Sequence, residues 1–371
     1  MMRAKLPREL LLACVLGISA LQAGLAQADP VAGAPAATGS ACDQKNRARA
    51  RQGRPNTVTV NFENDLFAGN DREYTNGAKI SWASANLEDY LTDPCLPGLL
   101  KRLNHYVRFV DRGDYSARNM VVSLGQAMFT PSDRARTTLD PTDRPYAGWL
   151  YVGFAYNSRT ATRMRTYELD LGMVGPQAYA KQSQDFVHDF RGIPRWQGWA
   201  NQLPDEPGLQ FTYEIKNRWL FKTSKGLPNV DVISHYGATL GNVSDYMNAG
   251  AEFRVGYTLP DDFGTSAIRP GGNNSAPLAV QDEPSGYAAK GIHVFASFDA
   301  RGVLHNIFLD GNTFRSSPSV DKRTFVGDLA LGVAWSWKRG KIAYAHYLRT
   351  KEFYGQKSAQ EFGSITFSYV F

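Results

Sequence analysis

After its N-terminal segment, the sequence contains no apolar run that approaches the roughly 20 residues that a transmembrane helix requires. This absence excludes a helical membrane protein. It does not exclude a transmembrane β-barrel, because only alternate residues of barrel strands need to be apolar. The mean hydropathy of −0.36 shows that the chain is not hydrophobic on average.

The sequence also lacks the usual motifs of soluble enzymes. It contains no G-x-S-x-G elbow, no H-E-x-x-H, no C-x-x-C and no phosphate-binding loop. Any active site must therefore be built from other residue patterns.

Cysteine is scarce, with three residues in 371. Residues 1–28 have the pattern of a secretory signal peptide, with a basic start, an apolar core and a small-residue cleavage site. Its removal takes Cys14 away and leaves Cys42 and Cys95 in an oxidising compartment. These two either form a disulfide or are unrelated thiols, and their spacing does not decide. Residues 29–56, rich in Ala, Gly and Pro and then basic, are predicted to be a flexible leader.

Residues 57–371 alternate apolar with polar or small side chains, in segments of about ten residues separated by polar, Gly- or Pro-containing breaks. This pattern is typical of a transmembrane barrel. In the clearest segment, residues 325–337, Leu331, Val333 and Trp335 share one parity, and polar or small residues occupy the other. The first set is predicted to face lipid and the second to face the lumen.

A soluble β-sandwich would show the same alternation. The export signal, the aromatic residues near strand ends and the terminal Phe371 favour an outer-membrane barrel instead. We therefore predict an all-β fold, a 12-stranded antiparallel transmembrane β-barrel of the bacterial outer membrane, with both ends in the periplasm. The predicted strands are 57–66, 74–84, 118–129, 147–158, 163–174, 208–221, 228–242, 248–259, 288–300, 323–338, 341–352 and 361–371. The narrow lumen is predicted to be filled by side chains that include Glu168, Asp170, Glu214, Lys216, Glu252 and Arg254.

The stretch 61–77 is more polar than a hairpin needs, since it includes Asn64, Asp65 and Thr75. In an ordinary turn such residues would supply only positive φ and local hydrogen bonds. Strand parity, however, puts Asn64 on the lipid-facing side with Val60. A polar group is costly there unless it is used.

Five motifs follow one another along the chain. They are E-N-D at 63–65, E-Y-T-N-G at 73–77, Q-x-x-x-T-P-S at 126–132, D-R-P-Y-A-G-W at 143–149, and G-P at 175–176 followed by Q-x-x-x-H at 184–188. In this order they resemble the motifs of the LpxR-like lipid A 3′-O-deacylases, outer-membrane enzymes that remove acyl chains from lipopolysaccharide. The resemblance implies a twelve-stranded barrel whose active site lies at its outer end, between the barrel wall and a helix of an extracellular loop.

The resemblance also implies roles for individual residues. His188 would be the base that activates water, Asn64 would position the ester or stabilise its oxyanion, and Asp65 would help to bind Ca²⁺. Thr75 and Gln184 match the family's threonine and glutamine. The family's calcium-ligating glutamate and a later tyrosine have no clean counterpart, because the loop after His188 is shorter. The second carboxylate ligand of Ca²⁺ is thus not identified.

Basic residues in the second predicted outer loop are candidates for binding lipid A phosphates. They are Arg134, Arg136 and Arg144. The alternative is that they only bridge acidic headgroups. His346, like the other histidines within predicted strands, is predicted to be structural.

The leading prediction is a monomeric outer-membrane hydrolase that removes ester-linked 3′ acyl chains from lipid A of lipopolysaccharide and has no nucleic-acid partner. Two alternatives stay open. A calcium-linked outer-membrane phospholipase would pair a serine with a histidine, and no such motif is found. A catalytically silent barrel would act as a narrow channel or a surface-binding protein.

Overall fold

A computed structural model describes residues 42, 56–65, 74–87, 89–96, 98–106, 113–224, 226–265, 268, 290–337 and 339–371. Within them, twelve strands form a closed barrel in which each strand pairs with its sequence neighbours and the first pairs with the last. The predicted fold class is confirmed. The predicted signal peptide, and all of the predicted leader except Cys42 and Asn56, lie outside the described residues and stay predictions.

All twelve predicted segments contain a strand. The strands are β1 Thr57–Asn64, β2 Tyr74–Ala83, β3 Ala117–Phe129, β4 Ala147–Arg159, β5 Arg163–Val174, β6 Glu206–Phe221, β7 Asn229–Gly241, β8 Ser244–Gly256, β9 Gly291–Asn306, β10 Phe325–Trp337, β11 Gly340–Arg349 and β12 Gln360–Val370. The helices are α1 Gly98–Tyr106, α2 Ala180–Arg191 and α3 Ile307–Asp310, with 3₁₀ turns at Pro176–Ala178 and Trp199–Asn201. None of the described helices is long and apolar enough to cross a membrane.

The largest difference from the predicted bounds is at β8 and β9. β9 continues to Asn306 instead of ending at residue 300, and β8 begins at Ser244 instead of residue 248. The two extensions pair with each other, with Ser244 opposite Asn306. Gly302 interrupts the alternation of this segment, and for that reason the sequence pattern ended the strand too early.

The lipid-facing and lumen-facing sets of β10 are those predicted. Leu331 is 70% exposed and Val333 43%, whereas Ala330 and Ala334 are at most 4% exposed. Alternate side chains of a strand point to opposite faces of the sheet. The exposed set therefore forms the outer surface of the barrel, and the buried set faces the lumen.

Described residues of the connection after β8 lie within the lumen, including the buried Asp262 and Phe263. Asp262 forms ion pairs with Arg254 and, at 2.5 Å, with Lys341 near the periplasmic end of β11. Farther along, the backbone N–H of Ile268 donates to the carboxylate of Glu63, near the outer end of β1, at 2.5 Å. Asp262 thus contacts the lumen wall towards the periplasmic end, and Ile268 contacts it towards the outer end.

The long connection between β2 and β3 is fixed at the periplasmic end. The structure joins Cys42 to Cys95 in a disulfide, with the two Cα atoms 4.8 Å apart. Asn104 of helix α1 donates to the carbonyl of Tyr90 at 2.6 Å and accepts from the Tyr156 hydroxyl at 2.6 Å. Of the two alternatives for the cysteines, the structure therefore has the disulfide.

Candidate active site

Helix α2 presents one side to the protein. Its buried residues are Ala180, Gln184 and His188, spaced by four and therefore on one face. The helix begins after Tyr179, which has a positive φ of 56°, and ends at Gly192, with φ 68°. The backbone N–H of Gly192 bonds to the carbonyls of the last turn, as a glycine C-cap commonly does.

Gly148 of β4 allows this loop to lie directly on the barrel wall. A Cβ at Gly148 would lie 2.6 Å from the Cβ of Ala180 and 3.0 Å from that of Ala178. Both distances are too short for a side chain of any size. Glycine is needed here for the close approach of the loop and not for its backbone angles.

The face of the wall beneath α2 is the lipid-facing one. Asn64 is paired with Asn76 on β2, Asn76 with Met128 on β3, and Met128 with Gly148 on β4. Directly paired residues share a face, and this face also carries the exposed Val60. The row therefore lies on the outside of the barrel.

At the outer end this row is buried, and the loop packs against it at Met128. Asn64, Asn76 and Met128 are at most 8% exposed. One buried cluster joins the wall to the loop and consists of Met128, Tyr146, Ala180, Trp196 and Trp199. At the usual strand spacing of about 4.8 Å, Asn64 lies roughly 10 Å along the row from Met128. The structure thus brings the helix of His188 onto the same wall surface as Asn64.

Thr75 lies where the pairing of β2 with β3 is irregular. Tyr74 pairs with Phe129 and Asn76 with Met128, so Thr75 is an extra residue between two consecutive partners. Such a bulge re-aims neighbouring side chains and is common beside active sites. The bulge is adjacent in sequence to Asn76, which belongs to the buried row.

The ring of His188 is held in one orientation. Its Nδ1 lies 2.8 Å from the backbone carbonyl oxygen of Pro194. A carbonyl oxygen can only accept, so in the neutral ring Nδ1 carries the proton and Nε2 carries the lone pair. His188 is 2% exposed. This tautomer is the one that can take a proton through Nε2.

Gln184 lies one helical turn before His188 and is also fixed. Its Oε1 accepts a hydrogen bond from the indole N–H of Trp199 at 2.7 Å. Its Nε2 is buried and has no hydrogen-bond partner among the described residues. An unused buried donor costs about 1–3 kcal/mol. Gln184 therefore presents an oriented, unused N–H group near the imidazole.

Several motif residues hold the loops and do not take part in the site directly. Gln126 donates to the carbonyl of Ala178 at 2.6 Å. Asp143 accepts from the backbone N–H of Ser132 at 2.7 Å and from its hydroxyl at 2.6 Å. Burial raises the pKa of Tyr146 to about 12, so the phenol stays protonated among the loop tryptophans. The sequence motifs therefore include residues that hold the loops in place as well as the reactive groups of the site.

Asp65 follows β1 directly and is fully buried. In the part of the chain that the structure describes, no group of three His, Cys, Asp or Glu side chains is arranged to hold a metal ion. Ca²⁺ prefers six to eight oxygen ligands. The described side chains thus identify no second carboxylate ligand beside Asp65, and calcium stays a prediction from the resemblance. Asp71 and Glu73 of the same polar stretch lie outside the described residues.

The three candidate phosphate-binding arginines differ in setting. Arg144 is 1% exposed, lies 3.1 Å from Glu352 and packs over the ring of Phe129. Burial raises the pKa of Glu352, but the charges of Arg144 and other arginines outweigh this and lower it. We therefore assign Arg144 a structural role. Arg136, paired with Asp140 at 2.6 Å, and Arg134 are half-buried in the outer loop.

The outward side of the helix carries exposed charges. Arg195 donates to Asp189 from Nε at 2.7 Å and also from Nη2. This hydrogen bonding lowers the pKa of the Asp189 carboxyl. The pair links the last turn of α2 to the segment that contains Pro194.

Sequence reasoning missed Pro194, Trp199 and Asn76 as parts of the site. Pro194 acts through a backbone carbonyl, which no side-chain motif reveals. Trp199 lies 15 residues from Gln184 and acts on it only through the fold of the loop. Asn76 could have been found from parity, because it shares the lipid-facing side of β2 with Ile80.

Comparison with known proteins agrees with the fold. A family described as "Outer membrane protein LpxR" matches residues 10–371. The solved structure of LpxR from Salmonella typhimurium is 17% identical and covers 85% of this chain and 100% of its own, with a TM-score of 0.66. The β domain of the Bordetella autotransporter BrkA is 10% identical over 85% of this chain and 99% of its own, with a TM-score of only 0.40. No curated protein sequence matches. Because the family match extends over nearly the whole chain, the protein belongs to the LpxR family of the bacterial outer membrane, the lipid A deacylases that its motifs resemble.

Proposed function

We propose that this protein hydrolyses the ester that links a 3′ acyl chain to lipid A in the outer leaflet of the outer membrane. The observation that carries the proposal is the setting of His188. Its buried imidazole is fixed through Nδ1, on a helix packed against the lipid-facing wall at the outer end of the barrel. A membrane-anchored ester reaches such a position by lateral movement, without leaving the leaflet.

In the proposed reaction, Nε2 of His188 accepts a proton from water, and the resulting hydroxide attacks the ester carbonyl carbon. The electron pair moves onto the carbonyl oxygen, where the amide N–H groups of Gln184 and Asn64 stabilise the negative charge. When the intermediate collapses, the proton passes from His188 to the departing 3′ oxygen. The products are a free fatty acid and a 3′-hydroxyl group on the sugar.

The resemblance supports further parts of the proposal. Thr75, at the bulge beside Asn76, is proposed to belong to the same site. Arg134 and Arg136 are proposed to contact lipid A phosphates, which guanidinium groups bind well. The preference for the 3′ position and the monomeric state rest on the resemblance alone.

Calcium, if bound at Asp65, would polarise the ester carbonyl. The proposed roles of His188, Gln184 and Asn64 do not depend on the ion. Titration of Ca²⁺ into the detergent-extracted barrel, monitored by calorimetry, tests the site directly. We expect binding by the wild type and much weaker binding by Asp65→Ala. Equal heats from the two proteins would contradict a calcium role for Asp65.

Two observations weigh against the alternative functions. The described lumen contains buried ion pairs, and Asp262 and Ile268 of the connection after β8 also contact its wall, which does not suit a channel. Among the described residues, the hydrogen bonds of the histidine rings go to carbonyls, carboxylates and Thr313, and none goes to a serine hydroxyl. A serine-based phospholipase is thus not favoured.

Mass spectrometry of lipid A, from cells with and without this protein, tests the function. We expect loss of the 3′ acyl chains with the wild type and a rate reduced by about 10²–10⁴-fold with His188→Ala. His105→Ala, in an exposed position of the periplasmic helix α1, is the matched control and should act like the wild type. Unchanged lipid A with the wild-type protein, or full activity of His188→Ala, would overturn the proposal.

A further inference from the structure

A second polar group lies on the lipid-facing wall, away from helix α2. His346 of β11 and Glu361 of β12 form a polar pair, with Nε2 and Oε2 3.5 Å apart. Both side chains are about two-fifths exposed, at 42% and 43%. Their neighbours on the same face of the strands are apolar and exposed, including Leu348 and Phe367. The pair thus lies within a surface that otherwise faces lipid.

Such a pair is unfavourable unless it has a use. A charged residue on the lipid face of a barrel costs about 2–4 kcal/mol at the bilayer midplane and about 0–1 kcal/mol near the interface. His346 lies three residues before Arg349, at the outer end of β11. Structural polar residues of this barrel face the lumen, where Arg254 and Asp231 pair fully buried. His346 and Glu361 face the opposite way.

An apolar groove of about 480 Å³ begins at this pair. It runs across the outer faces of strands β8 to β12. Its apolar walls include Phe253, Phe298, Leu329, Leu331 and Leu348. Ala296, whose side chain is small, lines it between larger neighbours. The groove is therefore an apolar depression with one polar end.

The groove and the candidate active site share one row of paired residues. Phe253 pairs with Ala296, Ala296 with Leu331, and Leu331 with His346. The row continues from His346 to Gly363 and then to Asn64. Gly363 and Asn64 are buried, so the covered part of the row begins directly beside the groove. At two strand spacings, His346 lies roughly 10 Å from Asn64 along the wall.

We propose that this groove holds a second acyl chain of the same lipid molecule whose 3′ ester is hydrolysed, and that His346 and Glu361 bind the polar linkage at the head of that chain. This inference rests on the proposed function. Lipid A carries several acyl chains, each joined through an ester or amide and many bearing a hydroxyl group. The apolar groove fits the chain, and the His–Glu pair supplies a donor and an acceptor for its linkage. His346 and Glu361 are thus positioning residues that direct the scissile ester towards His188.

Filling the groove tests the site of the chain. Ala296→Trp should raise KM for lipid A in mixed micelles roughly tenfold, with kcat within about twofold of wild type, because uniform binding is lost. Ala300→Trp adds the same side chain on the same strand and face, four residues beyond the groove, and should leave both constants unchanged. Heat-modifiable migration shows whether each barrel has folded. Equal kinetics of the two tryptophan variants would overturn the proposal.

Changing the polar pair tests its role. His346→Leu should raise KM by a similar factor, and His346→Gln, which keeps a donor, should restore most of the affinity. Tyr344→Leu, two residues away on the same lipid-facing side, is the matched control. A fall in kcat without a change in KM would contradict a positioning role in binding.

A binding experiment separates this inference from the proposed reaction. Lipid A with a photoreactive diazirine in an acyl chain is cross-linked to the inactive variant His188→Ala, and labelled peptides are identified by mass spectrometry. We expect labels on β9 and β10 that Ala296→Trp abolishes and Ala300→Trp preserves. If the groove is labelled but the wild-type protein does not hydrolyse lipid A, the proposed reaction is rejected and the proposed acyl-binding groove is kept. Even labelling around the barrel would reject the groove.

Discussion

The lumen and the outer face of the wall use polar side chains in opposite ways. In the lumen, Arg254 bonds to both oxygens of Asp231, at 2.7 and 2.6 Å, and pairs with Asp262. On the outer face, polar groups are few, and Gln184 keeps a buried donor with no hydrogen-bond partner in the described structure. The guanidinium of Arg254 is hydrogen-bonded within the protein, whereas the side-chain N–H of Gln184 is free to bind a ligand.

This difference indicates where function lies in a chain with many buried ionisable groups. Burial and charge alone would point to the lumen, which holds the densest ion pairs of the described residues. A buried charge pair that is mutually satisfied is, however, an ordinary structural feature. The outer wall is distinguished by polar side chains on a lipid-facing surface, where they do not stabilise the fold. The candidate reaction centre and the proposed acyl groove both belong to that wall.

The largest expected effect is a loss of barrel stability when an ion pair of the lumen is removed. Arg254→Met leaves Asp231 paired only with Arg218 and Asp262 paired only with Lys341. Because each buried carboxylate keeps one cation, we expect a destabilisation of about 3 kcal/mol, the low end of the range for a broken buried ion pair. Urea unfolding, followed by loss of heat-modifiable migration, measures this change.

The matched control removes an arginine from the outside. Arg195→Met breaks an exposed pair with Asp189 and should leave the urea midpoint nearly unchanged, since exposed ion pairs contribute little. If Arg254→Met were as stable as Arg195→Met, the lumen pairs would not be structural and the comparison would fail.

A smaller effect, on activity alone, is expected at the outer wall. Gln184→Leu removes the oriented N–H and should lower kcat about 10²–10³-fold, as loss of an oxyanion donor does. Gln182→Leu, on the exposed side of the same helix, is the control and should be active. Turnover of lipid A and the urea midpoint are measured for both.

Trp199→Phe sharpens this test. It keeps an aromatic ring but removes the indole N–H that orients Gln184, together with part of the buried ring volume. We therefore expect a fall in kcat between those of the two glutamine variants, with the urea midpoint as the measure of the packing loss. Full activity of Gln184→Leu would exclude an oxyanion role and leave Gln184 as a packing residue of α2.

Local alternation predicted the strands, because each carries its own exposed set, as in Leu331 and Val333. The export signal, the aromatic residues near strand ends and the terminal Phe371 were needed to predict a membrane barrel. The same parity placed Asn64 on the outside. The chain from 261 to 268 could not be predicted in this way. Its partners Lys341 and Glu63 are distant in sequence, and a polar segment after a strand has the composition of an ordinary turn.

The site was predictable only in its reactive side chains. His188 and Gln184 carry a motif, but the carbonyl of Pro194 that fixes the imidazole has no sequence signature. Positive charge did not distinguish Arg144, which is buried with Glu352, from surface arginines. His346 was predicted to be structural, although it shares the parity of Tyr344 and Leu348, and the structure places it on the same lipid-facing side as those two residues.

The smallest expected effect concerns the contact that joins the loop to the wall. Gly148→Ala puts a Cβ 2.6 Å from that of Ala180, so helix α2 must move by a fraction of an ångström. The barrel itself can stay unchanged, because the overlap is with the loop. We expect unaltered urea stability of the barrel and an activity lower by roughly tenfold, since small misplacements of catalytic groups are costly.

Gly327→Ala is the control, because the atoms nearest to its new Cβ would be 3.8 Å away. The double variant Gly148→Ala with Ala180→Gly removes the overlapping methyl group and should recover part of the lost activity. If the double variant stayed as weak as Gly148→Ala while the barrel was folded, the position of α2 on the lipid-facing wall would not determine the reaction. The contrast between a stabilising lumen and a reactive outer wall would then need another basis.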